Sequence, residues 1–401
     1  MISYNQCPGF CGPLSVGAVK RAGIQGMRRP ATIRFLAGLL VIILAAPTTV
    51  FSVPAGFKGK SSAQKPPSKK TTAKKRTSRY AVPTYADSTE HDIAEWDDPI
   101  VRQVAVEALG RFNGSVVAVD PNTGRILSAV NQRLAFSAGF MPCSTIKPVI
   151  GLAALEEGLI TRDTMIKVGR RTHMNLTEAL AKSNNPYFEI LGRQMGFETV
   201  SRYARLLGLG EPSGYKLFEE HPGVFPAGPP EFGGVGRMSS YGEGIHITPL
   251  QLAAMTAAFA NGGTLYYLQY PRTVDERRAF APIVKRKLKI QNMLPELREG
   301  MLAAVLYGTG KQAFDPAGET ALGKTGTCND QGSRLGWFVS YADQTNPRLV
   351  VAVLLRGRGR VINGPTAADI AGRIYQGLRE RNYFAGLRDA EAAGHGVSSK
   401  D

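Results

Sequence analysis

Residues 115–130 read SVVAVDPNTGRILSAV, two runs of strand-forming residues about the turn Pro121-Asn122-Thr123-Gly124. Pro121 presets φ and Gly124 accepts a positive φ, so 115–120 and 125–130 predict a β-hairpin. Upstream, apolar residues recur at helical spacing over 99–112. Downstream, strand character returns only at 321–328, 336–342 and 348–355 (RLVVAVLL), and a last helix is predicted over about 366–379. The intervening stretch, about 144–315, reads as mostly helical. Its best-marked helix has Thr248 as N-cap, Pro249 in the first turn and Gln251 completing a capping box, and Asn261-Gly262-Gly263 ends it. Residues 223–240, rich in Gly and Pro, read as a loop. Helix, two strands, helical insertion, three strands and helix make an α+β domain: an antiparallel sheet flanked by terminal helices, with a helical lobe inserted between strands two and three. A site is expected at the seam between lobe and sheet.

The formal charge of +17 suggests a nucleic-acid binder until its distribution is examined. Residues 1–79 carry 14 Lys and Arg and no acid, whereas the remaining chain holds 35 basic and 32 acidic residues. The excess therefore belongs to a leader and spacer, and no nucleic-acid partner is expected. Arg28, Arg29 and Arg34 precede the apolar run 35–46, FLAGLLVIILAA, which is the arrangement for export. Counted to Val53 the run has 19 residues, enough to span a bilayer, and no clean small-x-small cleavage site follows Ala46. An uncleaved anchor over 27–53 is favoured over a cleaved signal, with 1–26 as a leader of uncertain start. Residues 54–95 open with a Lys-, Ser- and Pro-rich stretch that cannot bury a core and read as a linker. The folded domain is expected over 96–385, and 386–401 as a flexible tail. With five scattered histidines and no HExxH or paired CxxC, neither a metal nor another cofactor is expected.

Three short motifs occur in order: Ser144-Thr145-Ile146-Lys147, Ser183-Asn184-Asn185 and Lys324-Thr325-Gly326, the last followed by Thr327. The first has little weight alone, since roughly one or two S-x-x-K are expected by chance in such a chain. Ser62-Ala63-Gln64-Lys65 in the spacer is one such decoy. The ordered set in its structural places carries the weight. Ser144 and Lys147, three apart at a helix start, share one face. A serine hydroxyl needs a neighbour to take its proton, and a lysine does so once burial or a nearby cation, here Lys324, lowers its pKa. Free N–H groups of a helix start suit an anionic centre. Pro148 has no N–H to bond back to Ser144, which predicts a locally opened first turn. Asn185-Pro186 reads as an N-cap and first turn, compatible with Asn185 also gripping a substrate. Gly326 lets a ligand approach a strand, where Lys324, Thr325 and Thr327 suit a carboxylate.

The ordered set resembles the signature of the penicillin-binding protein and serine β-lactamase superfamily. Asp120–Leu127 (DPNTGRIL), Tyr241–Gln251 (YGEGIHITPLQ) and Gly336-Trp337-Phe338 are also similar to its transpeptidase domains, and the resemblance covers about 99–385. It implies a five-stranded antiparallel sheet flanked by helices with an inserted all-helical lobe. It also implies Ser144 as acylated nucleophile, Lys147 as base, Ser183 as proton relay and Lys324 completing the catalytic set. Asn185, Thr325, Gly326 and Thr327 would bind substrate, and the backbone N–H groups of Ser144 and Thr327 would form the oxyanion hole. The implied activity is D,D-transpeptidation of peptidoglycan stem peptides, or carboxypeptidation, with β-lactams acylating the same serine. Such a protein is expected in the cytoplasmic membrane, single-pass, with its domain on the outer side (secreted if the leader is cleaved), and with cell-wall synthesis proteins as partners. No glycosyltransferase region is expected.

Asn185 at the third place of the second motif, and Lys147-Pro148, look like transpeptidases rather than class D β-lactamases. A β-lactamase would need a water-activating group, for which Glu219, Glu220 and Glu231 are the loop candidates; a non-hydrolytic β-lactam or muropeptide receptor or scaffold is the remaining alternative. Two residues depart from the family pattern. Cys143 stands before the nucleophile and Cys328 after K-T-G-T, positions that this fold brings close, either as a disulfide or as two small packed side chains. The second is the commoner condition of buried cysteine.

Overall fold

The strands 348–355 and 115–120 lack polar alternation because the central sheet is covered on both faces. The computed structural model describes residues 82–342 and 346–385. The expected leader, membrane anchor, most of the linker and the C-terminal tail lie outside the described residues. Among the described residues, no helix is long and apolar enough to cross a membrane.

The chain runs α1 (Pro99–Leu109), β1 (Gly114–Val119), β2 (Ile126–Val130), α2 (Gln132–Phe136), a 3-10 turn at Cys143–Ile146 and α3 (Lys147–Glu156). The lobe continues through β3 (Ile166–Lys167), β4 (His173–Met174), α4 (Leu176–Ala181), α5 (Asn185–Leu206), α6 (Gly234–Tyr241) and α7 (Pro249–Ala260). It ends with β5 (Thr264–Tyr266), α8 (Val274–Arg278), β6 (Val284–Lys287) and α9 (Leu294–Leu306). The sheet is completed by β7 (Leu322–Asp330), β8 (Ser333–Ala342) and β9 (Leu349–Gly357), and α10 (Gly364–Glu380) closes the fold.

The five-stranded sheet has the order β2-β1-β9-β8-β7 with every neighbouring pair antiparallel. Its period of two divides the core. Val117, Val119, Ala352, Leu354, Trp337 and Val339 face the lobe, whereas Val116, Ala118, Val351, Val353 and Phe338 face α1 and α10. β7, which carries Lys324-Thr325-Gly326, is an edge strand, so one row of its backbone groups has no sheet partner.

The α+β architecture matches expectation, and α7 has its capping box: Thr248 N donates to Gln251 Oε1 (2.9 Å) and Gln251 N to Thr248 Oγ1 (3.0 Å). The lobe is not all-helical. Two small antiparallel ribbons, β3–β4 and β5–β6, interrupt it, too short to give a readable alternation. The expected loop at 223–240 holds α6 in its second half; Gly233 and Gly242, both at positive φ, flank that helix rather than break it. The linker boundary at residue 95 is also late. The Asp92 carboxylate accepts from Arg102 Nη2 and from the backbone N–H groups of Asn131 and Gln132, each at 2.8 Å, so this acidic stretch is fastened to the domain.

Candidate active site

Ser144 lies on the 3-10 turn that feeds α3. Pro148 cannot supply the N–H that would bond back to Ser144, so the Lys147 N–H donates to the Ser144 carbonyl instead. The turn is therefore tightened by one residue rather than opened as expected. Cys143, at its start, is held at φ 52°, and Ser183, between α4 and α5, at φ 53°. For non-glycine residues such left-handed backbone costs about 1–3 kcal/mol and concentrates at functional sites.

The three motifs, far apart in sequence, meet at the Ser183 hydroxyl, which both lysines touch. Lys147 Nζ lies 3.0 Å from Ser144 Oγ, 3.1 Å from Ser183 Oγ, 2.6 Å from the Ser183 carbonyl oxygen and 2.6 Å from Asn185 Oδ1. Lys324 Nζ donates to Ser183 Oγ (2.8 Å) and to the Thr325 carbonyl (2.9 Å). Both lysine side chains are fully buried. Burial, reinforced by the Lys324 cation and partly offset by Glu189, holds Lys147 well below the ordinary lysine value. Burial lowers Lys324 to about 7.

The partners of Lys147 can be met by a neutral amine. A carbonyl and an amide oxygen can only accept, and they hold the two shortest contacts. A neutral amine spends its two N–H groups on Ser183 O and Asn185 Oδ1, leaving its lone pair to accept the proton of a hydroxyl. Of the two hydroxyls in reach, the Ser144 one is the nearer.

Asn185 differs from expectation in a useful way. The helix N-cap is Asn184, whose Oδ1 accepts from Tyr187 N (2.9 Å). The cap is displaced by one residue because Asn185 already has helical geometry as the first residue of α5, and its amide is free for the site. Asn185 Nδ2 donates to Tyr241 Oη (2.6 Å), which orients the amide oxygen toward Lys147. The Arg237 guanidinium stacks between Phe232 and Tyr241, 4.9 Å from each ring, and pairs with Glu243.

On β7, Thr325 Oγ1 lies 2.6 Å from Thr309 Oγ1, and Thr327 Oγ1 accepts from Gly364 N at the start of α10 (2.8 Å). That bond uses one acceptor lone pair of the Thr327 hydroxyl and leaves its O–H able to donate. Gly326 backs onto the 3-10 turn of Ser144 so closely that a Cβ would stand 3.0 Å from the Pro142 carbonyl oxygen. Cys143 and Cys328 are joined in a disulfide, with their Cα atoms 5.6 Å apart. The expectation of two packed thiols is overturned: a close approach of β7 to the turn brings together residues separated by 185 positions. A cavity of about 220 Å³ bounded by Asp315, Leu349, Tyr375, Arg379 and Phe384 includes none of these residues.

Tyr241 and Thr309 escaped the sequence reading. Tyr241 opened a segment quoted for its family likeness without being singled out. The signal for Thr309 was its place between Gly308 and Gly310, a turn at the end of α9.

The profile of the penicillin binding protein transpeptidase domain matches residues 114–376. Stage V sporulation protein D of Bacillus subtilis is 29% identical over 312 residues, covering 64% of this chain and 48% of that protein. The peptidoglycan D,D-transpeptidase MrdA of Acinetobacter baumannii is 27% identical over 351 residues, covering 68% and 51%. The chain thus spans about half the length of the curated relatives it matches. The TP domain of Burkholderia pseudomallei penicillin-binding protein 3 shares the fold, with a TM-score of 0.61 at 23% identity over 72% of this chain and 96% of that one. The match over most of the described residues, with the three motifs gathered at one point, shows that this chain belongs to the penicillin-binding protein transpeptidase domain family.

Proposed function

We propose that the chain is a serine D,D-transpeptidase of peptidoglycan synthesis and a covalent target of β-lactams. The observation that carries this is the contact of Ser144 Oγ with a buried Lys147 amine whose N–H groups already have acceptors. Ser144 Oγ attacks the carbonyl of the penultimate D-Ala, and its proton passes to Lys147 Nζ. The carbonyl oxygen takes the negative charge between the N–H groups of Ser144 and Thr327, donors of a kind that contribute about 3–4 kcal/mol each. Collapse of the tetrahedral centre breaks the peptide bond. The leaving amine takes a proton through Ser183, which touches both lysines. Asn185 binds the acyl portion, while Lys324, Thr325 and Thr327 hold the terminal carboxylate alongside β7. The amine of a second stem peptide then attacks the ester, forming the cross-link and freeing Ser144.

A β-lactamase is less well supported. Glu220 is buried with its carboxylate accepting from the backbone N–H groups of Ser213 and Gly214, Glu219 pairs with Arg272, and Glu231 is exposed. Two of the three loop carboxylates are thus already engaged. The apolar 35–53 run, outside the described residues, is proposed as the membrane anchor that presents the domain to the wall, and 54–81 as the spacer.

Incubation with a fluorescent penicillin tests the proposal. Durable label in the wild type, absent in Ser144→Ala, is expected, as is cross-linking of a D-Ala-D-Ala-terminated pentapeptide to an acceptor amine. Rapid loss of label would identify a β-lactamase, and durable label without cross-linking a receptor.

A further inference from the structure

The Cys143–Cys328 disulfide joins the residue before Ser144 to the residue after Thr327. Those two neighbours are the proposed oxyanion donors, so the bond spans the hole itself. On one side, the dihedral angles of Cys143 set the plane of the peptide that carries the Ser144 N–H, and Cys143 sits at φ 52°, a conformation an unconstrained cysteine rarely keeps. On the other side, β7 is the edge strand of the sheet, with no further strand hydrogen-bonded beyond it among the described residues. Where Gly326 passes the turn, the absence of a side chain makes the approach close without fastening it. The other anchors lie upstream at Met141: its N–H donates to Asp330 Oδ2 (2.9 Å) and its carbonyl accepts from Trp337 Nε1 (3.0 Å). They keep the segment on the sheet, and within the turn Thr145 donates from both its N–H (3.2 Å) and its hydroxyl (2.6 Å) to the Pro142 carbonyl, so the disulfide is the covalent tie from this turn across to β7.

We infer that the disulfide is a positioning device for the acyl-transfer reaction, holding the Ser144 and Thr327 N–H groups at the separation an oxyanion requires, and that reduction by an external dithiol slows acylation without unfolding the domain. This rests on the proposed function. Cys143 is fully buried and Cys328 half-buried, so an entering thiolate reaches the Cys328 sulfur first. Attack there forms a mixed disulfide and expels the Cys143 thiolate, which takes a proton. The reductant's second thiolate then attacks the reductant sulfur of that mixed disulfide, breaking its bond to Cys328 and expelling the Cys328 thiolate, which takes a proton; the reductant leaves as a cyclic disulfide, oxidised by two electrons. Once freed, Cys143 can relax to negative φ, which turns the Ser144 N–H away from its partner donor. Misplacement of a reacting group on the scale of an ångström costs on the order of 100-fold.

The test uses the full chain, oxidised or treated with a dithiol and alkylated, with the state of Cys143 and Cys328 read by peptide mass mapping. Acylation by a fluorescent penicillin is resolved into the pre-equilibrium constant and the acylation rate constant. Reduction is expected to lower the rate constant at least about 10-fold with the pre-equilibrium constant changed less than about 3-fold. Far-UV circular dichroism should be unchanged. The Cys143→Ala/Cys328→Ala variant should match the reduced protein and ignore reductant. Equal rate constants for the oxidised and reduced folded protein would overturn the inference while leaving the proposed function standing. A loss of rate explained by unfolding would also overturn it. Absence of label even in the oxidised protein would overturn both.

Discussion

Lys324 Nζ stands 2.8 Å from Ser183 Oγ, a contact between a sheet strand and a lobe turn 141 residues away in sequence. It places a second buried cation beside the hydroxyl that also touches Lys147. The pair is destabilising for the fold and useful for the chemistry: burial disfavours the charge on both amines, and the Lys324 charge further disfavours a proton on Lys147.

That cost is measurable. In the folded protein Lys324 is lowered to about 7, whereas an unfolded lysine titrates near the ordinary 10.5. Between those values the unfolded chain binds more protons, so this group's contribution to stability rises with pH across the window; below about 7 the penalty is at its full size. Lys324→Met should therefore raise Tm by several degrees at pH 6, by less at pH 9, while acylation is lost or nearly so. Thermal melts at the two pH values check the sign. An unchanged or lower Tm at pH 6 would mean that the hydrogen bonds of Lys324 outweigh its burial.

The pH profile of acylation should show Lys147 acting as base. The rate rises with pH as Lys147 loses its proton, on a limb well below the ordinary lysine range because of burial and the Lys324 charge. Removing that charge raises the Lys147 pKa, so the residual activity of Lys324→Met should have its rising limb displaced to higher pH. Stopped-flow acylation from pH 5 to 10 measures both limbs; a limb that stays put would assign the lowering to burial alone.

Ser144→Ala should abolish covalent labelling with Tm within a few degrees of the wild type, since the hydrogen bond lost to Lys147 Nζ leaves that amine its partners at Ser183 and Asn185. Lys147→Met should retain the fold and reduce acylation by roughly 100- to 10,000-fold, the range for loss of a positioned base. Intact-mass detection of the penicilloyl adduct separates the two: none for the first, slow accumulation for the second.

Tyr241→Phe removes the acceptor for Asn185 Nδ2 and leaves the ring against Arg237. A hydrogen bond of this kind is worth about 1 kcal/mol, so acylation by a peptide substrate should fall roughly 5-fold. Asn185→Ala should cost more, because it also strips an acceptor from the buried Lys147. If Tyr241→Phe were the more damaging of the two, the tyrosine would be acting directly on the substrate rather than through Asn185.

Much of the fold was legible because it rests on local chemistry. The Pro121–Gly124 turn fixes a hairpin, the Thr248 capping box starts a helix, and the unbroken apolar runs of β1 and β9 mark strands buried on both faces. The order of the three motifs named the candidate residues without any coordinates. The pairing of Cys143 with Cys328, the shift of the cap from Asn185 to Asn184, the ribbons within the lobe, and the service of Tyr241 and Thr309 were decided only by the tertiary structure. A cap or a turn is an energy between residues a few positions apart and leaves a mark in composition. A disulfide or hydrogen bond across the cleft depends on how β7 and the lobe approach each other, and no local pattern records that distance.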